Sequence, residues 1–486
     1  MTMLTGTSCQ ARGRRGPGEG LIRQAYGVIP ENVVGRNPTV SVPEPAAASV
    51  PEPDPASSSP GAGAPAAGEP AAEAVDAALR DLSEHRDWRR ELYTDLHRHP
   101  ELGLEETATA QRITAELEAL GARPMRIGGT GVVAVLTNGD GPVVLARADI
   151  DGLPVQERTG LPYASEVEGV MHACGHDTHV TALLGAVRQL LTHPGTWSGT
   201  YIALFQPAEE TGEGARAMVE DGLAERIPHP DVALGQHVMP MPAGMIAVGP
   251  GPVMSQSDSL RITLHGRGAH GSMPHLSVDP VVLAASVVLR LQTVVSREVA
   301  PGEFSVLTIG ALHAGTRPNI IADRAELQVN MRHFDPAVRD RVLAAVERVV
   351  RAECAASGAP RDPEIVLEHQ LPPTLNDPET AERVAAAFRD RFGEDRVVPM
   401  PQVTASEDFS VIPDALGVPY AYWLVGGGDP EAFAAAMRED GGAASLPVNH
   451  SPLFAPVIEP TLEAMTSAHV VAALAHLGRG SGRMEA

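Results

Sequence analysis

The spacing of apolar positions divides the chain into alternating helices and strands. From about residue 72, AVDAALRDLSEHRDWRRELYTDLHRHP carries apolar side chains at helical spacing and stops at Pro100, and ETATAQRITAELEALG predicts a second helix. GVVAVLT and GPVVLARAD read as two apolar strands. THVTALLGAVRQLLTH predicts a helix capped by Asp177 or Thr178, and TYIALFQ and DVALGQHV are short buried strands. This order predicts an α/β domain with a mostly parallel sheet.

The rhythm changes between about 255 and 370. SLRITLHG alternates as a strand, and Asp279-Pro280 supplies a cap and a first helical residue for VVLAASVVLRLQTVVSRE. FSVLTIGAL and AELQVNMRHF read as strands, PAVRDRVLAAVERVVRAECAA as a helix, and PEIVLEHQ as a last strand. The order β-α-β-β-α-β is that of a ferredoxin-like unit. After residue 375 helix–strand alternation resumes, so the small unit is expected to be inserted into the larger one. The expected organisation is a disordered Pro/Ala-rich extension over 1–75, a larger domain built from 76–253 and 373–480, a satellite over 254–372, and a tail over 481–486.

The composition, 43% hydrophobic and 20% charged over 486 residues, is that of an ordinary soluble protein. A net charge of −24 argues against nucleic acid or an anionic membrane as partner. No apolar run follows the basic N-terminal residues, and no stretch approaches the ~20 apolar residues that span a bilayer. Three cysteines, Cys9, Cys174 and Cys354, make no disulfide framework, so a cytoplasmic location is expected.

Four segments carry candidate chemistry. In MHACGHDTHV, Cys174 and His176 lie two apart; in extended backbone both side chains point the same way, and thiolate with imidazole suits Zn, Co or Ni. In FQPAEE, Glu209 and Glu210 are adjacent carboxylates, an arrangement that a dication would stabilise. One could ligate while the other takes a proton from water. His237 ends an apolar strand and His450 precedes the last helix. Each segment alone also has an ordinary structural reading: a buried Cys, a capping His, an acidic helix start, a lone core His. Together they supply ligands enough for two metals about 3.5–4 Å apart. Asp149 and Asp151 are expected to orient ligating histidines. No G-x-S-x-G elbow is followed by a suitable acid and His, and a Cys174 nucleophile would leave the Glu pair without a role.

These runs, with RADIDGLPVQE, GRGAHGSMPH, RPNIIAD, ASEDFS and NHSPLF, stand in order over about residues 85 to 475. They resemble the M20 metallopeptidase family, in particular its amidohydrolase subfamily of hippurate hydrolases, auxin-conjugate hydrolases and N-acetyldiaminopimelate deacetylases. The resemblance implies a di-metal catalytic domain with an inserted ferredoxin-like satellite. It implies Cys174, His176, Glu210, His237 and His450 as ligands of two divalent ions (Mn, Zn, Co or Ni), and Glu209 as general base and acid. His270, with His275 as alternative, would hold the oxyanion across a subunit boundary, which requires a homodimer or higher oligomer. Asn319 and Arg332 would grip the substrate carboxylate. The implied substrate is a small N-acyl amino acid. The alternatives are a deacylase of diaminopimelate intermediates and a catalytically silent metal-binding protein. Gly152 stands where many relatives have Ala, and the extension lies outside the family pattern.

Overall fold

The computed structural model describes residues 72–439 and 442–478. Helix Ala72–Leu79 opens the described part, so residues 72–75 are helical rather than part of an extension; the remainder of the expected extension and the tail 481–486 lie outside the described residues.

The strands in chain order are β1 (Met125–Ile127), β2 (Gly131–Asn138), β3 (Val143–Asp149), β4 (Gly199–Gln206), β5 (Val232–Pro242), β6 (Ile246–Val248), β7 (Gly251–Met254), β8 (Gln256–His265), β9 (Ala269–His270), β10 (Ser305–Ala314), β11 (Ile320–Ile321), β12 (Arg324–His333), β13 (Glu364–Leu371), β14 (Thr374–Asn376), β15 (Val397–Pro399) and β16 (Tyr420–Gly428). Eight of them form one sheet in the order β1-β2-β4-β3-β5-β16-β6-β15. Its centre, β4-β3-β5-β16, is parallel, as is the β6–β15 pair, while β1, β2 and the β16–β6 pair are antiparallel.

Both faces of this sheet are covered. Alternate residues enter opposite cores: Val132 and Ala134 pack with helices Arg86–Arg98, His176–Thr192 and Ile458–His476, whereas Val133 packs with Met218, Leu223 and Ile412. Two-sided burial is why these strands read as continuous apolar runs.

The satellite sheet, β10-β12-β8-β13, is antiparallel throughout. Helices Pro280–Glu298 and Pro336–Ala356 cover one face through Leu283, Val287, Leu291, Val342 and Val346, which meet Leu260, Ile262, Leu327 and Val329. Asp279 and Asp335 cap these helices, each accepting from the backbone N–H two residues on. The first helix corrects one expectation: it is long and apolar enough to cross a bilayer by length and composition, although only one stripe of it is buried. Val282 and Leu289, 63% and 73% exposed, lie on its outer side.

Candidate metal centre and active site

β3, β4 and β5 run parallel, so the segments that follow or end them gather at one edge of the sheet, where open α/β sheets place their chemistry. The turn before helix His176–Thr192 differs from the extended backbone expected there. Gly175 has φ +85°, and His176 is the first residue of the helix. A Cβ at Gly175 would lie 2.5 Å from Val238 Cγ1, so both the left-handed turn and the tight approach require glycine. Cys174 and His176 still converge because of that turn. Neither Asp177 nor Thr178 caps the helix, since the N-cap residue is Gly175 with no side-chain cap.

His176 Nδ1 donates to the Asp151 carbonyl at 3.0 Å, with the Asp151 carboxylate at 3.1 Å. A carbonyl only accepts, so Nδ1 carries a proton, and in the neutral ring the Nε2 lone pair is free. Nε2 faces Glu209 at 3.9 Å and Glu210 at 4.0 Å. His237, within rather than at the end of β5, likewise donates from Nδ1 to the Val238 carbonyl (2.7 Å), leaving Nε2 3.4 Å from Cys174 Sγ. His450 has φ +70° and is tied by its backbone N–H to the Ala173 carbonyl; its Nε2 lies 3.2 Å from Glu210 Oε1. Neighbouring Asn449 donates to the carbonyls of Cys174 and Val238.

Glu209 and Glu210 stand in the turn after β4. Ala208, at φ +48°, aims them, and Gly214 closes the loop so tightly that a Cβ there would lie 1.5 Å from the Pro207 carbonyl oxygen. Ligand atoms of Cys174, His176 and His237 lie within 4.8 Å of one another, as do those of Cys174, Glu210 and His450, and those of His176, Glu209 and Glu210. The first group shares Cys174 with the second and His176 with the third, an overlap that suits a pair of ions. The fit is supported by a buried atom, His176 Nε2, that makes no hydrogen bond. Burial, then Glu407 and Glu210, pushes Glu209 far above the usual carboxylate range, which is the charge imbalance a dication offsets.

Asp149 stands between two histidines, with one oxygen 3.7 Å from His176 Nε2. It binds His179 Nδ1, while His179 Nε2 accepts from the Val238 N–H at 2.9 Å. Both His179 nitrogens are thus used inside the protein, and Asp149 braces β3 and β5 through it. Asp151 does take the expected place against His176.

Sequence reasoning missed the charges beneath this layer. Arg147 is fully buried and donates to Gln206 (2.9 Å), Asp149 (2.6 Å), Glu407 (2.7 Å) and Asp408 (3.1 Å). Glu407 also accepts from Tyr422 OH at 2.6 Å and lines the cavity beside Glu209. His97 donates to Asp177 (2.6 Å) and lies 3.4 Å from Glu157, locking helix Arg86–Arg98 to the helix that begins with His176.

A cavity of about 620 Å³ opens over the cluster and is lined by Cys174, Glu209, Glu210, His237 and His450 together with Arg332 of the satellite. His270 and Asn319 are not brought there. They line a different cavity of about 820 Å³ on the satellite, where Ile320 pairs with His270. His275, in the turn Pro274–Leu276, lines neither.

Residues 145–440 match peptidase family M20/M25/M40. The chain belongs to this family. Thermostable carboxypeptidase 1 of Saccharolobus solfataricus is 35% identical over 70% of this chain and 86% of its own length. Hippurate hydrolase of Campylobacter jejuni is 37% identical over 67% of this chain and 85% of its own length. The crystal structure of the YXEP protein of Bacillus subtilis, a dinuclear metal-binding peptidase of the M20 family, covers 81% of this chain and 98% of its own with a TM-score of 0.67 at 30% identity. As an M20 protein the chain is a metal-dependent amidohydrolase, and the overlapping donor groups around Cys174 and His176 agree with a dinuclear centre.

Proposed function

We propose that this chain hydrolyses the amide bond of an N-acyl amino acid. The observation that carries the reading is the meeting, in one cavity, of four candidate ligands (Cys174, Glu210, His237 and His450), one further carboxylate at Glu209, and the guanidinium of Arg332, with the fifth candidate, His176, buried against Cys174 and Glu210. Cys174, His176, Glu210, His237 and His450 would hold two divalent ions, of Mn, Zn, Co or Ni. When bound, such ions polarise a scissile carbonyl and make water a stronger acid. Glu209 takes the proton of the attacking water on its carboxylate and delivers it to the leaving amide nitrogen. Arg332 binds the substrate carboxylate, for which a guanidinium fork is suited.

His270 and Asn319 fit this reaction as contributions to the active site of a second copy. The satellite offers a face for such a copy: Leu276, Val282, Leu289 and Ile320 are apolar and more than half exposed, and β10 is an open sheet edge. Free Cys174 suits a reducing, cytoplasmic setting.

The test is a screen of the metal-supplemented protein against N-acetyl and N-benzoyl amino acids and N-acetyldiaminopimelate. Release of free amino acid is expected, with Glu209→Gln keeping its metal by elemental analysis while losing about 100-fold or more in turnover. Near-wild-type rates in Glu209→Gln would overturn the assignment.

A further inference from the structure

The strand register of the satellite places Arg332 in a row of four residues. Val306 pairs with Arg332, Arg332 with Ser257, and Ser257 with Leu371, so one line of side chains crosses β10, β12, β8 and β13 on one face of the sheet. The sequence neighbours Leu307 and Met331 point the other way, into the satellite core. The row therefore lies on the face away from the covering helices. Val306, Arg332 and Leu371 all line the cavity that holds Glu209, together with Phe304, Met239 and Met254. Leu371 reaches the loop that follows Glu210, where a Cβ on Gly212 would lie 2.6 Å from its Cδ2.

The charges in this cavity are already committed. Arg332 uses Nε on Asn330 and Nη1 on the Thr404 carbonyl and Ser406, and Nη2 makes no hydrogen bond among the described residues. Among the described residues no Lys and no second Arg lines the cavity. Glu210 belongs to the ligand cluster and Glu209 is the proton carrier, while Glu407 is engaged by Arg147 and Tyr422. Among the residues that one copy supplies, one substrate carboxylate has a partner; a second carboxylate, or a side-chain ammonium, has none.

We infer that the site selects amino acids with an apolar side chain, received by Val306, Phe304 and Leu371 next to the carboxylate held by Arg332. This rests on the proposed amide hydrolysis and on Arg332 as the carboxylate site, and adds the identity of the amino-acid half. A charged side chain would enter an apolar wall unpaired, which disfavours N-acylated Glu, Lys and diaminopimelate.

The experiment compares kcat/KM of the manganese-supplemented full chain for the N-acetyl derivatives of Leu, Met, Gly, Glu, Lys and diaminopimelate. Leu and Met are expected to exceed Glu, Lys and diaminopimelate by about 100-fold or more. Val306→Phe, which fills the proposed side-chain site, is expected to lower the Leu-to-Gly ratio at least about tenfold. Binding of the free amino acids, followed by calorimetry on the wild-type protein, is independent of turnover: Leu should bind at least about tenfold more tightly than Glu or Lys. If no amide is cleaved while Leu binds preferentially, the hydrolase reading fails and the selectivity stands. Equal binding of Leu, Glu and Lys, or a Leu-to-Gly ratio unmoved in a folded Val306→Phe protein, would overturn the inference.

Discussion

Replacing His97 by Gln tests the buried pair that locks the helix of His176 in place. Burial alone pulls His97 down, but Asp177 and Glu157 outweigh it and hold the ring at about 9, against an ordinary value of 6.5. The folded protein therefore holds this proton more tightly than the unfolded chain. The resulting stability is fully present below about pH 6.5 and is lost as pH rises through about 9. At 1.36 kcal/mol per pH unit the gap amounts to about 3 kcal/mol. The chain has three tryptophans, Trp88, Trp197 and Trp423, all outside the satellite, so urea unfolding followed by tryptophan fluorescence reports the larger domain alone. At pH 6.5 the variant should be less stable than the wild type by about 3 kcal/mol, and the difference should shrink toward pH 9.5. A separation that stays constant from pH 6 to 9.5 would show that His97 is not held charged by Asp177.

Arg147→Met leaves three buried carboxylates without their cation and should cost about 3–5 kcal/mol in the same urea assay. Gly185→Ala should lower stability by about 1–3 kcal/mol, read as a fall in Tm, because the new Cβ would meet Thr466 Cγ2 at 2.8 Å where two helices cross. Chelation should lower the Tm of the wild type, and manganese at 100 times its dissociation constant should restore about 2.7 kcal/mol; His176→Ala should show no such response.

The parts of this protein legible in its sequence are those with short-range signals. The satellite follows from strict alternation in SLRITLHG and AELQVNMRHF and from the Asp279-Pro280 helix start, which caps as expected. The ligand candidates were legible because each lies within or just beyond an apolar run. What could not be read depends on distance along the chain. Arg147 looks like a stray charge in VVLARAD, since its partners Glu407 and Asp408 follow about 260 residues later. His97 and Asp177 are 80 residues apart. The Cys174–His176 convergence was anticipated for the wrong reason, because the left-handed Gly175 rather than an extended backbone brings them together. A glycine between two candidate ligands, just before a helix, was the available signal. His179 lies in the helix expected from THVTALLGAVRQLLTH, but only its two partners show that it braces strands.

The order of strands in the large sheet also dictates how the protein must be made. β16 lies between β5 and β6, yet it is encoded beyond the satellite. A ribosome that has released β5 exposes one of its hydrogen-bonding edges until Tyr420–Gly428 emerges, roughly 10–40 seconds later at 5–20 residues per second. The satellite, contiguous from Gln256 to Leu371, is finished within that interval, while the sheet waits open at its centre. An unpaired edge of that kind invites pairing with other chains, so a nascent chain stalled between residues 372 and 420 carries a completed satellite attached to an aggregation-prone half sheet.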